Sequence, residues 1–390
     1  MAITPERMYE YTEPVTDAYR RLEDVLFVLI AQHLKTEVEP DDVFQWQSDK
    51  ISQLQSLDRQ AIKELSKTTG IAEPLIRQAI EYTANETIRT IDDQVKVVFD
   101  RASSEWITEF IVLASMGGVF TPPPKPDNFN FAVRQQINRT FREFNVFINE
   151  TLITTTYGEG AVARMYRRII EETIGRVMSG RKTVQEAVSD TVIRWSQRGI
   201  SSGFVDRGGR AWSLERYAES TIRSTVNNTY NEFTIERMRQ YGTDLVLVSS
   251  LPDPREACSY IQGRVASLSY PSSNPKYPSV YDFGYGEPWG LRGVNCRHRF
   301  YAWFEGISEN NQIQYDIDEA QERYKLSQQQ RHYERQIRKA KRALNIAKVF
   351  GDEELIKRYN NLIRTRQAKV REFVSKHNLP RRYDRERLII

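Results

Sequence analysis

A mainly α-helical fold is predicted for this chain of 390 residues: a multi-helix N-terminal body, a small α+β module with a long aromatic loop, and a C-terminal antiparallel helical hairpin. Three observations predict it. Apolar residues recur at steps of three and four through the first 240 residues, the period changes to short β-branched runs near residue 245, and two further apolar seams flank Gly351-Asp352. The composition, 28% charged and 39% hydrophobic, is slightly polar for a globular chain and suits long helices with an exposed face.

In order along the chain, Leu22, Val25, Leu26, Leu29, Ile30 and His33 form one helical stripe, with the histidine as an ordinary residue at its edge. Further helices are expected over 74–116, 130–155, 160–179 and 184–198. The tract Thr121-Pro122-Pro123-Pro124-Lys125-Pro126-Asp127-Asn128 cannot be helical, because proline lacks the amide donor and clashes with the preceding turn; it reads as a stiff linker or hinge. A long helix should start near Ser213, with Glu215 and Glu219 at its positive end, and stop at Gly242. Runs 245–249 and 264–268 read as strands. Residues 269–293, with four prolines, four glycines and four tyrosines, form a loop too long to be a passive connection. In the hairpin, Tyr333, Ile337, Ala340, Leu344 and Ala347 make the first seam, and Leu355, Tyr359, Leu362, Val370 and Phe373 the second. Gly351 stops one helix, Asp352 caps the next, and Pro380 ends the pair. Five segments result: a helical region over 1–120, the Pro-rich linker over 121–128, a second helical region over 129–242, the α+β module over 243–312, and the basic hairpin with its tail over 313–390.

Charge is unevenly placed. Residues 323–390 carry 20 Lys and Arg against 7 Asp and Glu, a balance of +13, which leaves −9 on the remainder of a chain whose total is +4. Such an arm could track a phosphate backbone, with Arg335, Arg338, Lys339, Lys341, Arg342, Arg381, Arg382 and Arg385 as the contacts, or it could dock on an acidic protein surface. No basic start followed by an apolar run suggests a secretory signal, and the longest apolar run, 25–31, is too short to span a bilayer. The chain is therefore expected to be soluble and cytosolic when made, with its two cysteines as thiols.

Catalytic motifs fail on spacing. Gly175 to Gly180 followed by Arg181-Lys182-Thr183 has one residue too many for a phosphate loop and follows a helix instead of a strand. Gly284-Tyr285-Gly286 lacks the third glycine of a dinucleotide turn, and no acid-base pair can be singled out, so no catalytic residue is assigned. Cys258, Cys296 and His298 remain. On an extended strand Cys296 and His298 would share a face, and with Asp253 as a fourth donor the set suits zinc. A buried thiol beside a hydrogen-bonded histidine, a late disulfide, and a nucleophilic Cys-His pair are the other readings of these residues. A zinc-dependent hydrolase or nuclease is accordingly the enzymatic alternative.

The strings at 255–263, Phe283-Gly284-Tyr285-Gly286, 290–298 and Gly306-Ile307-Ser308 resemble the phage minor capsid protein 2 family, kin to the phage Mu protein F-like head morphogenesis proteins. The hairpin pairs Gln330-Arg331, Glu334-Arg335, Ile337-Arg338 and Lys341-Arg342, and the ending at 378–386, resemble that family's C-terminus. The chain departs from the family at Cys258, where histidine is frequent, and at Ile261, where tryptophan is. The resemblance implies a structural virion component, present in several copies near the portal of a tailed-phage head. It also implies portal and capsid proteins as partners, packaged double-stranded DNA as a further contact, and roles in head assembly and in genome packaging or ejection.

Overall fold

The computed structural model describes residues 5–101, 120–155, 158–180, 182–293 and 296–388. Helices dominate: α1 (Pro5–Leu34), α2 (Val43–Ser52), α3 (Leu54–Arg101), α4 (Phe129–Phe144), α5 (Glu150–Ile153), α6 (Ala161–Met178), α7 (Val184–Arg198), α8 (Leu214–Gln240), the single turn α9 (Glu256–Ser259), α10 (Ile317–Phe350) and α11 (Glu353–Lys376). The strands are short: β1 (Thr154–Thr155), β2 (Gly158–Glu159), β3 (Ser201–Val205), β4 (Ala211–Ser213), β5 (Leu245–Val248), β6 (Val265–Ser267) and β7 (Phe300–Ala302). The mainly α expectation holds.

The helix expected to begin at Pro74 instead begins at Leu54 and runs through the proline. Proline favours a first helical turn but tolerates an interior position when packing on both sides outweighs one lost hydrogen bond. Here Leu57, Ala61, Leu65 and Ala72 before it, and Ile76, Ala79 and Ile80 after it, are all buried. Residues 102–116 of the expected helix lie outside the described residues. The chain packs as two compact units, Met1–Glu13 with Leu75–Thr140 and Ser220–Ser327, and Pro14–Pro74 with Phe141–Glu219 and Gln328–Ile390. Pro14 and Pro74, both inside helices, bound the first stretch of the second unit.

In the first unit, an antiparallel sheet of order β6-β5-β7 pairs Val246 with Ala266 and Ala302, and Leu247 with Val265 and Tyr301. One face carries a core of Met238, Val246, Val248, Ile261, Ala266, Val280, Leu291 and Phe300. The long loop is itself packed. Asp244 accepts from the hydroxyls of Ser267, Ser269 and Ser273 at 2.7 to 2.9 Å, and Glu305 accepts from Asn274, Lys276 and Tyr277. A Cβ at Gly290 would sit 2.1 Å from the Gly284 carbonyl oxygen, so only glycine lets the loop fold back on itself. The Pro-rich tract is not helical over 121–126, as expected, and is held by Arg237, 1% exposed. This guanidinium donates to both carboxylate oxygens of Asp92, at 2.6 and 2.8 Å, and to the carbonyls of Pro123 and Pro124, at 2.8 and 3.0 Å.

In the second unit, Tyr19, Leu22, Leu26, Ile30, Tyr166, Ile169, Val188 and Val192 are buried on helical faces. His33 keeps its edge position and bonds the Leu29 carbonyl. Helix α7 opens on a reciprocal cap between Thr183 and Glu186, which accounts for its legibility. The hairpin turns at Gly351 (φ 73°) and Asp352, whose side chain accepts from the Leu355 amide at 2.9 Å. Its helices meet through Tyr333 against Phe373, ring centroids 5.3 Å apart. Ile337, Ala340, Ala343, Ile346 and Ala347 form the buried seam, with Leu344 only half-buried.

Candidate functional site

Two features predicted from the sequence can be followed into the structure: the thiol and imidazole set of the first unit, and the basic hairpin of the second.

Cys258 lies on α9, the one helical turn between β5 and β6, and Cys296 and His298 lie on the irregular run that enters β7. The chain returns from α9 to the sheet through Gly263, at φ 71°, where a Cβ would fall 2.6 Å from the Gln314 amide nitrogen and 2.7 Å from the Ser250 hydroxyl. That tight return drives Cys258 inward to meet the other two. The donor atoms of Cys258, Cys296 and His298 lie within 4.8 Å of one another, and the residues are only 1%, 5% and 2% exposed. Cys296 Sγ is 3.7 Å from His298 Nδ1. On the far side of the ring, His298 Nε2 is 3.3 Å from Gln262 Oε1, and that oxygen also accepts from the Leu251 amide at 3.0 Å. An oxygen fixed as an acceptor by the backbone assigns the imidazole proton to Nε2 and leaves the Nδ1 lone pair facing the sulfurs. Both cysteines are free thiols.

Within this set the hydrogen bond to Cys296, followed by burial, pushes the Cys258 thiol up. The same bond, acting against burial, draws Cys296 well below the usual thiol range. Asp253, the expected fourth donor, does not join. Its carboxylate accepts from Arg297 Nη2 at 2.8 Å, and the same nitrogen donates to the Asp253 carbonyl at 2.9 Å. Its carboxylate chemistry suits zinc, but the side chain pairs with the exposed Arg297 instead. Gln262 was not singled out from the sequence, although its position four residues after Cys258 is the available signal. Arg255, also unselected, places Nη2 3.9 Å from Cys258 Sγ while donating to the Gly290 carbonyl at 2.7 Å.

The eight cations of the hairpin and tail do not form one exposed face. Arg342 is buried, donating to Asp24, to Glu23 at 3.2 Å and to the Ser196 carbonyl at 3.1 Å. Arg338 donates to Glu215 and to the Arg385 carbonyl, Arg381 makes a two-point pair with Glu386 at 2.7 and 2.8 Å, and Arg385 lies 3.9 Å from Glu334. Lys339 and Lys341 are half-buried, and burial lowers both below the ordinary lysine value. Arg335 and Arg382 reach solvent. The acidic surface that α10 meets is thus supplied by its own chain. On α11, Lys357, Arg358, Arg364, Lys369, Arg371 and Lys376 are exposed, and the off-seam positions of that helix are the signal that identifies them.

A small pocket with room for about one water molecule, lined by Leu26, Ala61, Ile62, Leu152 and Val162, carries the carboxylate of Asp58 on its wall. It is smaller than the usual ligand cleft and brings no acid-base pair together. Around the long loop, Tyr270, Tyr281 and Trp289 are 73%, 48% and 63% exposed, and Tyr281 packs edge-on between Tyr270 and Tyr285. None of the described helices is long and apolar enough to cross a membrane.

Comparison with known proteins gives a consistent picture. The sequence model of the family described as "Phage minor capsid protein 2" matches residues 3–375. A "Structural protein" of Lactococcus phage LL-H is 31% identical over 381 residues, which cover 95% of this chain and 98% of that relative. A "Structural protein" of Lactococcus phage mv4 is 44% identical over 119 residues, 30% of this chain and 97% of that relative. No solved structure matches the chain.

Proposed function

The chain belongs to the phage minor capsid protein 2 family, and from that premise we propose that it is a structural component of a tailed-phage head, seated at or near the portal vertex. The observation that carries this reading is the near end-to-end alignment with a relative called a structural protein. In this reading several copies assemble in the host cytoplasm with the portal and other capsid proteins, remain in the virion, and assist head assembly and genome packaging or ejection. The chemistry of the chain supports a docking role over a catalytic one. Cys258, Cys296 and His298 are too buried to meet a substrate, whereas Tyr270, Tyr281 and Trp289 expose aromatic rings on a packed loop, a residue type enriched at protein contacts. Cross-linking mass spectrometry on purified virions tests the placement. Cross-links from this chain to the portal protein are expected; absence from the virion, or cross-links confined to the tail, would overturn it.

A second reading, contact with packaged DNA, is favoured by the six exposed cations of α11. It predicts binding to a duplex fragment that weakens steeply with salt and is lost on reversing Lys357, Arg364 and Arg371 to Glu. Charge reversal is the suitable test because deleting the hairpin would also remove the partner of Glu23 and Asp24.

A further inference from the structure

We infer that Cys258, Cys296 and His298 form a three-donor zinc site that staples the α9 turn to the segment entering β7. The inference is independent of where the protein sits in the virion. It begins with geometry. Tetrahedral zinc, with bonds of about 2.3 Å to sulfur and about 2.0 Å to nitrogen, separates a thiolate from an imidazole nitrogen by about 3.6 Å and two thiolates by about 3.8 Å. Cys296 Sγ and His298 Nδ1 stand 3.7 Å apart, and all three donor atoms fit within 4.8 Å, so small side-chain rotations complete the set.

The surroundings agree with a metal centre in three ways. Gln262 takes the proton on the remote ring nitrogen of His298, the arrangement by which a ligating imidazole is oriented and its lone pair aimed. Arg255 offers an N–H toward Cys258 Sγ, which stabilises a thiolate. Two thiolates and one imidazole around a divalent ion make a neutral assembly, the form that burial penalises least. Binding releases to solvent whatever protons the two cysteines still hold and changes no oxidation state. Among the described residues no fourth His, Cys, Asp or Glu joins the group, so the protein supplies three donors. The site lies at the edge of the core that Val248, Ile261, Leu291 and Phe300 form on the sheet, and there the free energy of metal binding adds to that of folding.

The test uses the full-length protein, analysed for zinc as purified, then stripped with a chelator and loaded with cobalt(II). About one metal per chain and a thiolate-to-cobalt charge-transfer band are expected. Cys296→Ala should abolish the band, Cys258→His should keep the metal with a weaker band, and Gln262→Ala should weaken binding about 10- to 100-fold. Asp253→Ala should leave the metal in place. Folded wild-type protein that takes up neither zinc nor cobalt would overturn the site. A band surviving in Cys296→Ala, or lost in Asp253→Ala, would overturn the donor assignment. Because the wild-type spectrum is read on unaltered protein, the proposal can fail even if the core variants do not fold.

Discussion

Helices α10 and α11 are equally basic to the eye, yet the structure uses their charges differently. Arg338 and Arg342 on α10 face Glu215, Glu23 and Asp24, and Arg342 is enclosed, whereas Lys357, Arg364, Arg371 and Lys376 on α11 stand in solvent. A run of cations is therefore not in itself a ligand surface. Its acidic partner can lie hundreds of residues away in the same chain, and only the leftover charge is available to DNA or to a neighbour.

The largest effect expected from this contrast is in Arg342→Met. Removing the guanidinium leaves Glu23 and Asp24 buried without their cation, a loss of about 3 to 5 kcal/mol in a denaturant titration. A loss under about 1 kcal/mol would show that α10 is no more committed than α11.

The pH dependence follows from the same cluster. Burial, outweighing the opposing pull of Arg342, raises Glu23 from 4.5 to about 7, and Asp24 is raised by the same cause. The folded state then holds protons that the unfolded state has released. Stability from Glu23 is fully present below pH 4.5 and is lost as pH rises through about 7. Stability should fall by about 3 kcal/mol over that window, and Glu23→Gln should flatten the profile. A wild-type curve that rises from pH 5 to 8 would sink the assignment.

A smaller change is expected for Arg338→Ala, about 1 to 3 kcal/mol, because its pair with Glu215 and its bond to the Arg385 carbonyl are only partly buried. Smallest of all is the combined reversal of Lys357, Arg364 and Arg371, which should leave the unfolding free energy in a denaturant titration unchanged to within about 0.5 kcal/mol per site. Unfolding of that variant would place α11 in the same class as α10.

Legibility followed locality. Helices α6, α7 and α8 and the hairpin could be read because their periodicity and caps lie within a few residues, as with Thr183 and Glu186 or Gly351 and Asp352. Strands β5 and β6 showed through their β-branched runs. Helix α2 and the ladders β1-β2 and β3-β4 were not read: the strands are two to five residues long and gain their pairing from neighbours. For the candidate site, Cys258, Cys296 and His298 were selected as rare residue types, and the structure brings them together. Asp253 was chosen for its carboxylate, and donor chemistry says nothing of side-chain direction. Gln262 was overlooked because an amide carries no chemical label until its neighbours are known.

The Pro-rich tract has one further consequence. Pro122, Pro123, Pro124 and Pro126 supply carbonyl acceptors but no amide donors, so this backbone cannot satisfy itself by any regular pairing. Arg237 makes up the shortfall with a single planar fork anchored on Asp92. The segment is thereby fastened as if by a clasp. Releasing that side chain would loosen the tract at Pro123 and Pro124, leaving it held by Lys125 on Asn85 and by Gln240 on the Pro124 carbonyl, and lysine at position 237 would have too few fixed donors to replace it.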